Sequence, residues 1–285
     1  MSFLLVGGDS EIAGATSAAL HRAGLSALAT TRRSDRLDDG RVFLDLAPPL
    51  GDWQAPPSVT AACIFAVAGH IVDCAREPAR TALVNVTRTI ELVERLAGQG
   101  IYVLYLSTDK VFGGTRAQMP ADAPLAPAGE YGRQKARTDA HLQAMIAVGA
   151  PVGILRLARI LSPSMALFRQ WRDALAAGQK VRPFHDMVMA PTLAADAAAA
   201  IVALLQAGEP GIWQLSGPRD VSYAEIAGFI APRFGADPAL IEPVAAASAG
   251  MPDGATPRHT TLDSAALARF GIAPRDPWEV IAAVL

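Results

Sequence analysis

Two segments in the middle of the chain carry side chains that could place a proton on a carbonyl oxygen. Tyr131 and Lys135 are four residues apart, so on an α-helix they share one face. A free phenol is a weak acid near neutral pH, but an ammonium ~4 Å away would stabilise the phenolate by ~4 kcal/mol, or roughly three pKa units. Thr108 could hold the substrate oxygen. The trio predicts general acid–base chemistry at a ketone, the kind that accompanies hydride transfer from a nicotinamide.

The spacing of Tyr131 and Lys135 is common on amphipathic helices, so the surrounding elements must support the assignment. In the first two thirds of the chain, short apolar runs alternate with helical patterns, which predicts a parallel sheet covered on both faces. The predicted strands are 3–7, 25–30, 42–44, 61–67, 101–106 and 152–157, and the predicted helices are 12–23, 77–97 and 130–148. Thr108 would then follow a strand, and Tyr131 would begin a helix.

Beyond residue 161 the alternation becomes looser. Helices are predicted at 165–177, 193–207, 223–234 and 262–270, with short strands near Val181 and at 212–215. We therefore predict an α/β fold with a Rossmann-type doubly wound parallel sheet in residues 1–160. A smaller C-terminal α/β substrate lobe would occupy residues 161–285, from which segments could return to the sheet.

A glycine-containing turn after the first predicted strand indicates a dinucleotide site. A strand, a glycine turn and a helix place backbone N–H groups against a pyrophosphate. Gly8 and Gly14 would allow close approach and tight helix–strand packing, and Ser10 lies between them. The usual middle glycine is missing, with Glu11 or Ile12 in its place. Since glycine turns after strands are common, this motif alone does not decide the cofactor.

The residues after the next strands bear on which dinucleotide would bind. Arg32 and Arg33 follow the second strand, where an NAD site usually has an acidic residue, and arginine suits a 2′-phosphate instead. A solvated surface pair is the alternative, so NADP(H) is favoured and NAD(H) stays possible. Residues 1–160 are thus predicted to bind NADP. Further predicted cofactor contacts are Asp45 and Leu46 at the adenine, Ala66, Val67 and Ala68 after the fourth strand, and Lys135 at a ribose.

Composition excludes several classes of function. The chain has 285 residues and a net charge of −2, which favours neither nucleic acid nor an anionic membrane as a partner. Two cysteines provide no disulfide framework, and the five histidines are scattered, so we predict no metal site. No targeting segment or membrane span is apparent, and the reducing cytoplasm is the predicted location.

The segment from Ser107 to Gly113, together with the Tyr131–Lys135 pair, resembles the extended short-chain dehydrogenase/reductases. Within them, the chain is most similar to the dTDP-4-dehydrorhamnose reductase group. The resemblance extends over nearly the whole chain and implies a catalytic trio of Thr108, Tyr131 and Lys135. It also implies a nucleotide-linked deoxysugar as substrate, a keto group as the reacting group and NADPH as the reductant.

Departures from that group's pattern fall on the substrate side. Lys110 replaces the usual tyrosine, and Arg159 stands where relatives often carry a tryptophan. These two residues, with Asp109 and His185, are the predicted substrate contacts. An ordinary surface role is the alternative for Arg159 and His185.

Two other functions remain open at this point. A sugar-nucleotide epimerase or dehydratase would retain its nicotinamide, and the segment Asp109-Lys110 is similar to one found in some dehydratases. The chain could also be a non-catalytic NADP-binding regulatory subunit, like that of methionine adenosyltransferase. The complete trio argues against a binding subunit, and Val111-Phe112-Gly113 with the long loop before Tyr131 favours the reductase over the other enzymes. A homodimer is the usual expectation for such enzymes.

Overall fold

The computed structural model describes residues 2–69, 71–250 and 256–285. Its centre is a seven-stranded sheet in the order β10-β6-β5-β4-β1-β2-β3, with every neighbouring pair parallel. This order is typical of Rossmann-type doubly wound sheets and confirms the predicted fold class. The sheet strands are β1 (Ser2–Val6), β2 (Ser26–Thr31), β3 (Arg41–Phe43), β4 (Val59–Ile64), β5 (Tyr102–Thr108), β6 (Val152–Leu157) and β10 (Gly211–Leu215).

Helices cover both faces of the sheet, as the continuous apolar strands predicted. On one face, α1 and α7 pack against side chains such as Leu5 and Leu104. On the other face, α4 and α5 pack against side chains such as Leu4 and Val103. Neighbouring residues alternate between the two faces, so each strand must be apolar throughout. The helices are α1 (Glu11–Arg22), α2 (Ile71–Arg76), α3 (Pro78–Ala82), α4 (Thr89–Gly98), α5 (Glu130–Ala147), α6 (Ala166–Ala176), α7 (Ala194–Ala207), α8 (Tyr223–Ile230) and α9 (Pro277–Ala282).

The helix predicted over residues 77–97 is present in the structure as one helical run from residue 78 to residue 98. A separate helix, α2, ends at Arg76, and α3 begins at Pro78, whose ring nitrogen has no hydrogen to continue the α2 hydrogen-bond series. A π-helical stretch, Leu83–Arg88, then leads into α4. The prediction of one long helix is therefore confirmed, and the π-helical stretch within it was not predicted.

Residues after 161 contribute both to the sheet and to a separate cluster. β10 pairs with β6 at the sheet's edge. A further hydrophobic cluster, formed mainly by α6, α8 and α9, lies apart from the two packed faces of the sheet. Four short strands complete this part: β7 (Ile160–Leu161), β8 (Val188–Met189), β9 (Thr192–Leu193) and β11 (Val221–Ser222). The division into domains at residue 160 stays a prediction.

The end of the chain differs from the prediction. The helix predicted at 262–270 is a 3-10 helix that begins only at Ala265. Leu262 lies before this helix, and its backbone N–H donates to Ser216 Oγ. Helix α9 was not predicted. Within the described residues, no helix is long and apolar enough to cross a membrane.

Candidate active site

Helix α5 carries the two predicted proton-transfer residues to the carboxyl edge of the sheet. The chain passes from β5 into a short 3-10 turn that begins at Asp109, and α5 packs directly against that turn. Gly132 makes this packing possible, since a β-carbon there would overlap the carbonyl oxygen of Lys110. Tyr131 and Lys135 thus lie on the helix that packs against the end of β5, where Thr108 is the last residue.

Lys135 is buried, and its ammonium is held by β5. Its Nζ donates a hydrogen bond to the carbonyl oxygen of Leu106 at 2.8 Å and lies 4.5 Å from the centre of the Tyr105 ring. Loss of contact with water lowers the pKa of Lys135 to about 8, while the negative charge of Asp139 opposes the shift. The ammonium is therefore fixed in place but gives up its proton more easily than an exposed lysine.

The sequence predicted that Lys135 lowers the pKa of Tyr131, and in this structure that prediction is wrong. Burial raises the pKa of Tyr131 above its ordinary value, and the negative charge of Asp109 adds to the shift. The physical reason is that the phenolate loses hydration. Tyr131 thus holds its proton firmly, as suits a proton donor waiting for substrate.

Thr108 and its two neighbours form a small polar group at the end of β5. The Thr108 hydroxyl donates to Asp109 Oδ1 at 2.9 Å and accepts from the backbone N–H of Lys110. The Lys110 ammonium lies 3.6 Å from Asp109 Oδ2. Asp109 therefore joins the predicted catalytic and substrate residues in one hydrogen-bonded group.

The glycine turn after β1 has a different frame from the one predicted. Gly7 has a φ of +84°, and a β-carbon there would lie 2.7 Å from the backbone nitrogen of Ala66. Gly8 would meet the Ala29 side chain at 2.5 Å, so it allows close approach to β2. Gly14, by contrast, has open space around it, and Ala13 occupies the buried position on α1. The predicted packing role of Gly14 is wrong.

A groove of about 210 Å³ begins at the N-terminus of α1. Ser10 caps the helix by accepting from the Ala13 N–H, which leaves the first N–H groups of α1 at the open end. Glu11 does not face these groups freely, because its carboxylate accepts a hydrogen bond from Ser164 Oγ at 2.8 Å. The other residues that line the groove are Ile12, Ile160, Ser162 and Ala194.

An acidic residue that sequence reasoning missed lies at the carboxyl end of β2. Asp9 accepts a hydrogen bond from the Thr31 hydroxyl at 2.8 Å and lies 3.4 Å from the Arg36 guanidinium. Partial desolvation opposes ionisation, but the Thr31 hydrogen bond and the charges of Arg36 and Arg33 outweigh it and lower the pKa of Asp9. Arg32 and Arg33 are both exposed. No spacing rule pointed to Asp9, because the turn geometry brings it to β2.

The loops after β3 and β4 differ in how firmly they are held. Asp45 accepts from the backbone N–H of Ala47 in a local turn, and the side chain of Leu46 is buried in the core. After β4 the chain runs through Ala66 and Val67 to Ala68, whose backbone N–H and carbonyl both bond the Asn85 side chain.

Comparison with known proteins assigns the family. Residues 1–284 match the model described as "RmlD substrate binding domain". The chain belongs to this family. It is 33% identical over 198 residues to the probable low-salt glycan biosynthesis reductase Agl14 of Haloferax volcanii, covering 67% of this chain and 64% of that protein. It is also 28% identical to dTDP-4-dehydrorhamnose reductase of Mycobacterium tuberculosis, covering 84% of this chain and 83% of the relative.

A solved structure agrees with this assignment at the level of the fold. The dTDP-4-dehydrorhamnose reductase of Clostridium acetobutylicum superposes with a TM-score of 0.81 at 17% identity, covering 99% of this chain and 97% of that one. The predicted resemblance to the sugar-nucleotide reductases of the extended short-chain dehydrogenase/reductase type is thus confirmed, and with it the predicted class of oxidoreductase.

The predicted substrate residues Arg159 and His185 are more exposed than the predicted catalytic residues Thr108 and Lys135. Arg159, two residues after β6, is exposed, and its positive charge acts on the buried phenol of Tyr223. Arg159 has no ion-pair partner among the residues that the structure describes. His185 is exposed too, and its backbone N–H donates to Val244. The structure does not bring His185 into contact with Tyr131.

Behind helix α5 lies a buried ion pair that sequence reasoning also missed. Arg156 on β6 and Asp139 on α5 are both fully buried, with Nε and Oδ2 2.8 Å apart. Arg156 also donates to the Ala121 carbonyl and to Gln214. An arginine inside an otherwise apolar strand was the available signal, since such a residue requires a buried acceptor.

Proposed function

We propose that this chain reduces a keto group on a nucleotide-linked deoxysugar, with NADPH as the reductant and NADH as the second possible cofactor. The observation that carries the proposal is the position of Thr108, Tyr131 and Lys135 at the carboxyl edge of a parallel sheet. In doubly wound sheets, ligands bind outside this edge. The printed names of the M. tuberculosis and C. acetobutylicum relatives support the substrate class.

The residues around the first turn fit a dinucleotide. The open N-terminus of α1, capped by Ser10, offers backbone N–H groups to a pyrophosphate, and the adjacent groove has the volume to admit part of the cofactor. Ala66, Val67 and Ala68 would form the opposite wall, with Ala68 fixed by Asn85. When bound, the reduced nicotinamide supplies the hydride.

The chain's own residues would handle the proton. Thr108 holds the substrate oxygen once its hydroxyl turns from Asp109 to the substrate, and Tyr131, which is protonated at neutral pH, donates its proton to that oxygen. The tyrosinate left behind needs a nearby positive charge, and Lys135 is the cation on the same face of α5. Exchange with solvent then returns the proton to Tyr131.

Arginines near the end of β2 support NADPH over NADH. Arg36 and Arg41 lie within 4 Å of the Asp9 carboxylate, and Arg33 also acts on it. A 2′-phosphate would meet these guanidinium groups, and their number exceeds the single negative charge of Asp9. Arg36→Ala is expected to raise the KM for NADPH several-fold and to leave the KM for NADH unchanged. Equal effects on both would remove the support for NADPH.

The function is tested by following NADPH oxidation with dTDP-4-dehydrorhamnose. A reductase consumes one NADPH per sugar reduced, whereas an epimerase or dehydratase converts its substrate without net consumption. A regulatory subunit would bind NADPH but turn over no ketone and would be isolated with a stoichiometric partner.

Thr108→Val keeps the shape of the side chain but removes the hydroxyl, so it should lower kcat while NADPH still binds. Gel filtration would settle whether the chain is the expected homodimer.

A further inference from the structure

We propose that Asp139, backed by Arg156, is a positioning residue that keeps Lys135 protonated inside the core. The inference rests on the proposed function, in which Lys135 supports the charge left on Tyr131. Asp139 is one helical turn beyond Lys135 on α5, so the two side chains share a face.

The carboxylate of Asp139 is the anion placed to stabilise that ammonium. Within the described part of the chain, Lys135 forms no ion pair, and its hydrogen bond goes to a neutral carbonyl, that of Leu106. Burial of an uncompensated ammonium favours the neutral amine. The negative charge of Asp139 acts against this and favours the protonated form.

Arg156 has a separate task, which is to keep Asp139 ionised. Burial alone raises the pKa of Asp139, and the contact with Arg156 opposes that shift. Only one carboxylate oxygen, Oδ2, bonds the guanidinium. The other oxygen, Oδ1, is buried and has no hydrogen-bond partner among the described residues. The Ser107 hydroxyl also favours the ionised form of Asp139, and the negative charge of this carboxylate acts on Lys135.

The other titratable groups around Lys135 cannot replace Asp139. Tyr105 on β5 presents its ring to the ammonium, and its pKa is raised by burial, so it stays neutral. Cys74 on α2 also has a pKa raised by burial. Tyr131 on the same helix face is protonated before catalysis. Removal of Asp139 would leave Lys135 without a permanent negative charge nearby.

Lysine NMR can test this directly, because the chain contains only Lys110, Lys135 and Lys180. Labelling lysine Cε with ¹³C gives three signals, which Lys110→Arg and Lys180→Arg assign. In the unmodified protein, the Lys135 signal should titrate near pH 8. In the double variant Asp139→Asn/Arg156→Gln, that midpoint should fall by about one pH unit or more.

The double variant is preferred to Asp139→Asn alone, because a lone buried arginine is expected to unfold the protein. The matched control is Asp196→Asn/Arg275→Gln, which removes an ion pair of 2.8 Å associated with α7, on the opposite face of the sheet. A folded double variant with an unchanged Lys135 midpoint would overturn the inference. If the double variant does not fold, ¹³C-aspartate NMR of the unmodified protein decides: Asp139 ionised at pH 7 supports the inference and Asp139 protonated overturns it.

Catalysis provides a second readout that a purely structural ion pair would not move. The alkaline limb of the kcat/KM profile should shift to lower pH together with the Lys135 midpoint. At pH 8 a shift of one unit reduces the protonated fraction about five-fold, and lowering the pH should restore the rate. If the chain reduces no ketone, the proposed function fails, but the NMR titration still reports the link between Asp139 and Lys135.

Discussion

The two walls of the candidate site differ in whether their functional side chains are buried or exposed. The catalytic wall, formed by α5 with β5 and β6, contains charged and polar groups that are buried and mutually bonded, such as Lys135, Asp139 and Arg156. The substrate wall, which comprises the predicted contacts Arg159 and His185, has exposed side chains in the connections that precede the two-residue strands β7 and β8. One wall is fixed by the core, while the other is fixed mainly by its backbone.

This difference separates chemistry from recognition. A proton donor must be held within about 0.5 Å of its productive position, and burial among packed elements provides that constraint. Recognition groups on an exposed wall can change without disturbing the core. The comparison therefore predicts large and general losses from changes in the catalytic wall, and smaller, substrate-specific losses from changes in the substrate wall.

The largest effect is expected from Tyr131→Phe, which removes only the phenolic oxygen from the catalytic wall. Without its proton donor, reduction should slow by roughly 10²–10⁴-fold. Single-turnover NADPH oxidation with a ketone substrate measures the loss, and NADPH titration by fluorescence should show unchanged binding. A rate within two-fold of the unmodified chain would mean that another group supplies the proton.

Gly132→Ala tests whether the catalytic wall depends on close packing. The added methyl group would collide with the Lys110 carbonyl oxygen, so the variant should be destabilised by ~2 kcal/mol or more and lose activity. Gly14→Ala is the matched control, since its β-carbon enters open space on an exposed helix position and should stabilise by ~0.5–1 kcal/mol. Urea unfolding of both variants measures the difference. Equal stabilities would contradict the packing argument.

The same contrast explains what the sequence alone could predict. The sheet, its helices and the placement of Thr108 at the end of a strand and of Tyr131 and Lys135 on the following long helix follow from apolar periodicity. The reversed pKa shift of Tyr131 was not predictable, since spacing gives proximity along a helix but not burial.

Long-range partners were equally inaccessible to sequence reasoning. The Asp139–Arg156 pair joins a helix to a strand, and Asp9 reaches Thr31 through the geometry of a turn. Each depends on how elements pack after folding. The frame of the glycine turn was misread for a similar reason, because only the backbone conformation at Gly7 shows which glycine is required.

Lys135→Met should expose a conflict between function and stability in the catalytic wall. The folded-state pKa of Lys135, about 8, lies below the ordinary lysine value of 10.5. Between these two pH values the unfolded chain therefore binds more protons than the folded chain, and below pH 8 the buried ammonium lowers the stability of the folded chain. Methionine removes that cost but loses the hydrogen bond to Leu106, for a net gain of about 2 kcal/mol at pH 7.

That gain should shrink as the pH rises from 8 to 10.5, because the unfolded chain then loses the same proton. Urea unfolding of the unmodified chain and of Lys135→Met across this range gives the difference directly, with Lys180→Met as the exposed control. A difference that does not change with pH would show that the pKa of Lys135 is the same in the folded and the unfolded chain. Activity of Lys135→Met should be lost throughout.

The smallest effect is expected at the substrate wall, from Arg159→Leu. Since Arg159 is exposed and has no ion-pair partner within the described residues, its removal should leave the stability within ~0.5 kcal/mol. If its guanidinium binds an anionic group of the substrate, the KM for the nucleotide sugar should rise about ten-fold, or ~1.4 kcal/mol, with kcat nearly unchanged. Arg159→Lys should recover part of that loss, because it restores the charge but not the paired hydrogen bonds.

His185→Ala is the companion variant on the same wall, and an equal effect there would show that the exposed wall acts as a whole. A fall in kcat with Arg159→Leu would instead place this side chain at the reacting atoms. It would contradict the claim that the substrate wall acts on binding and not on the chemical step.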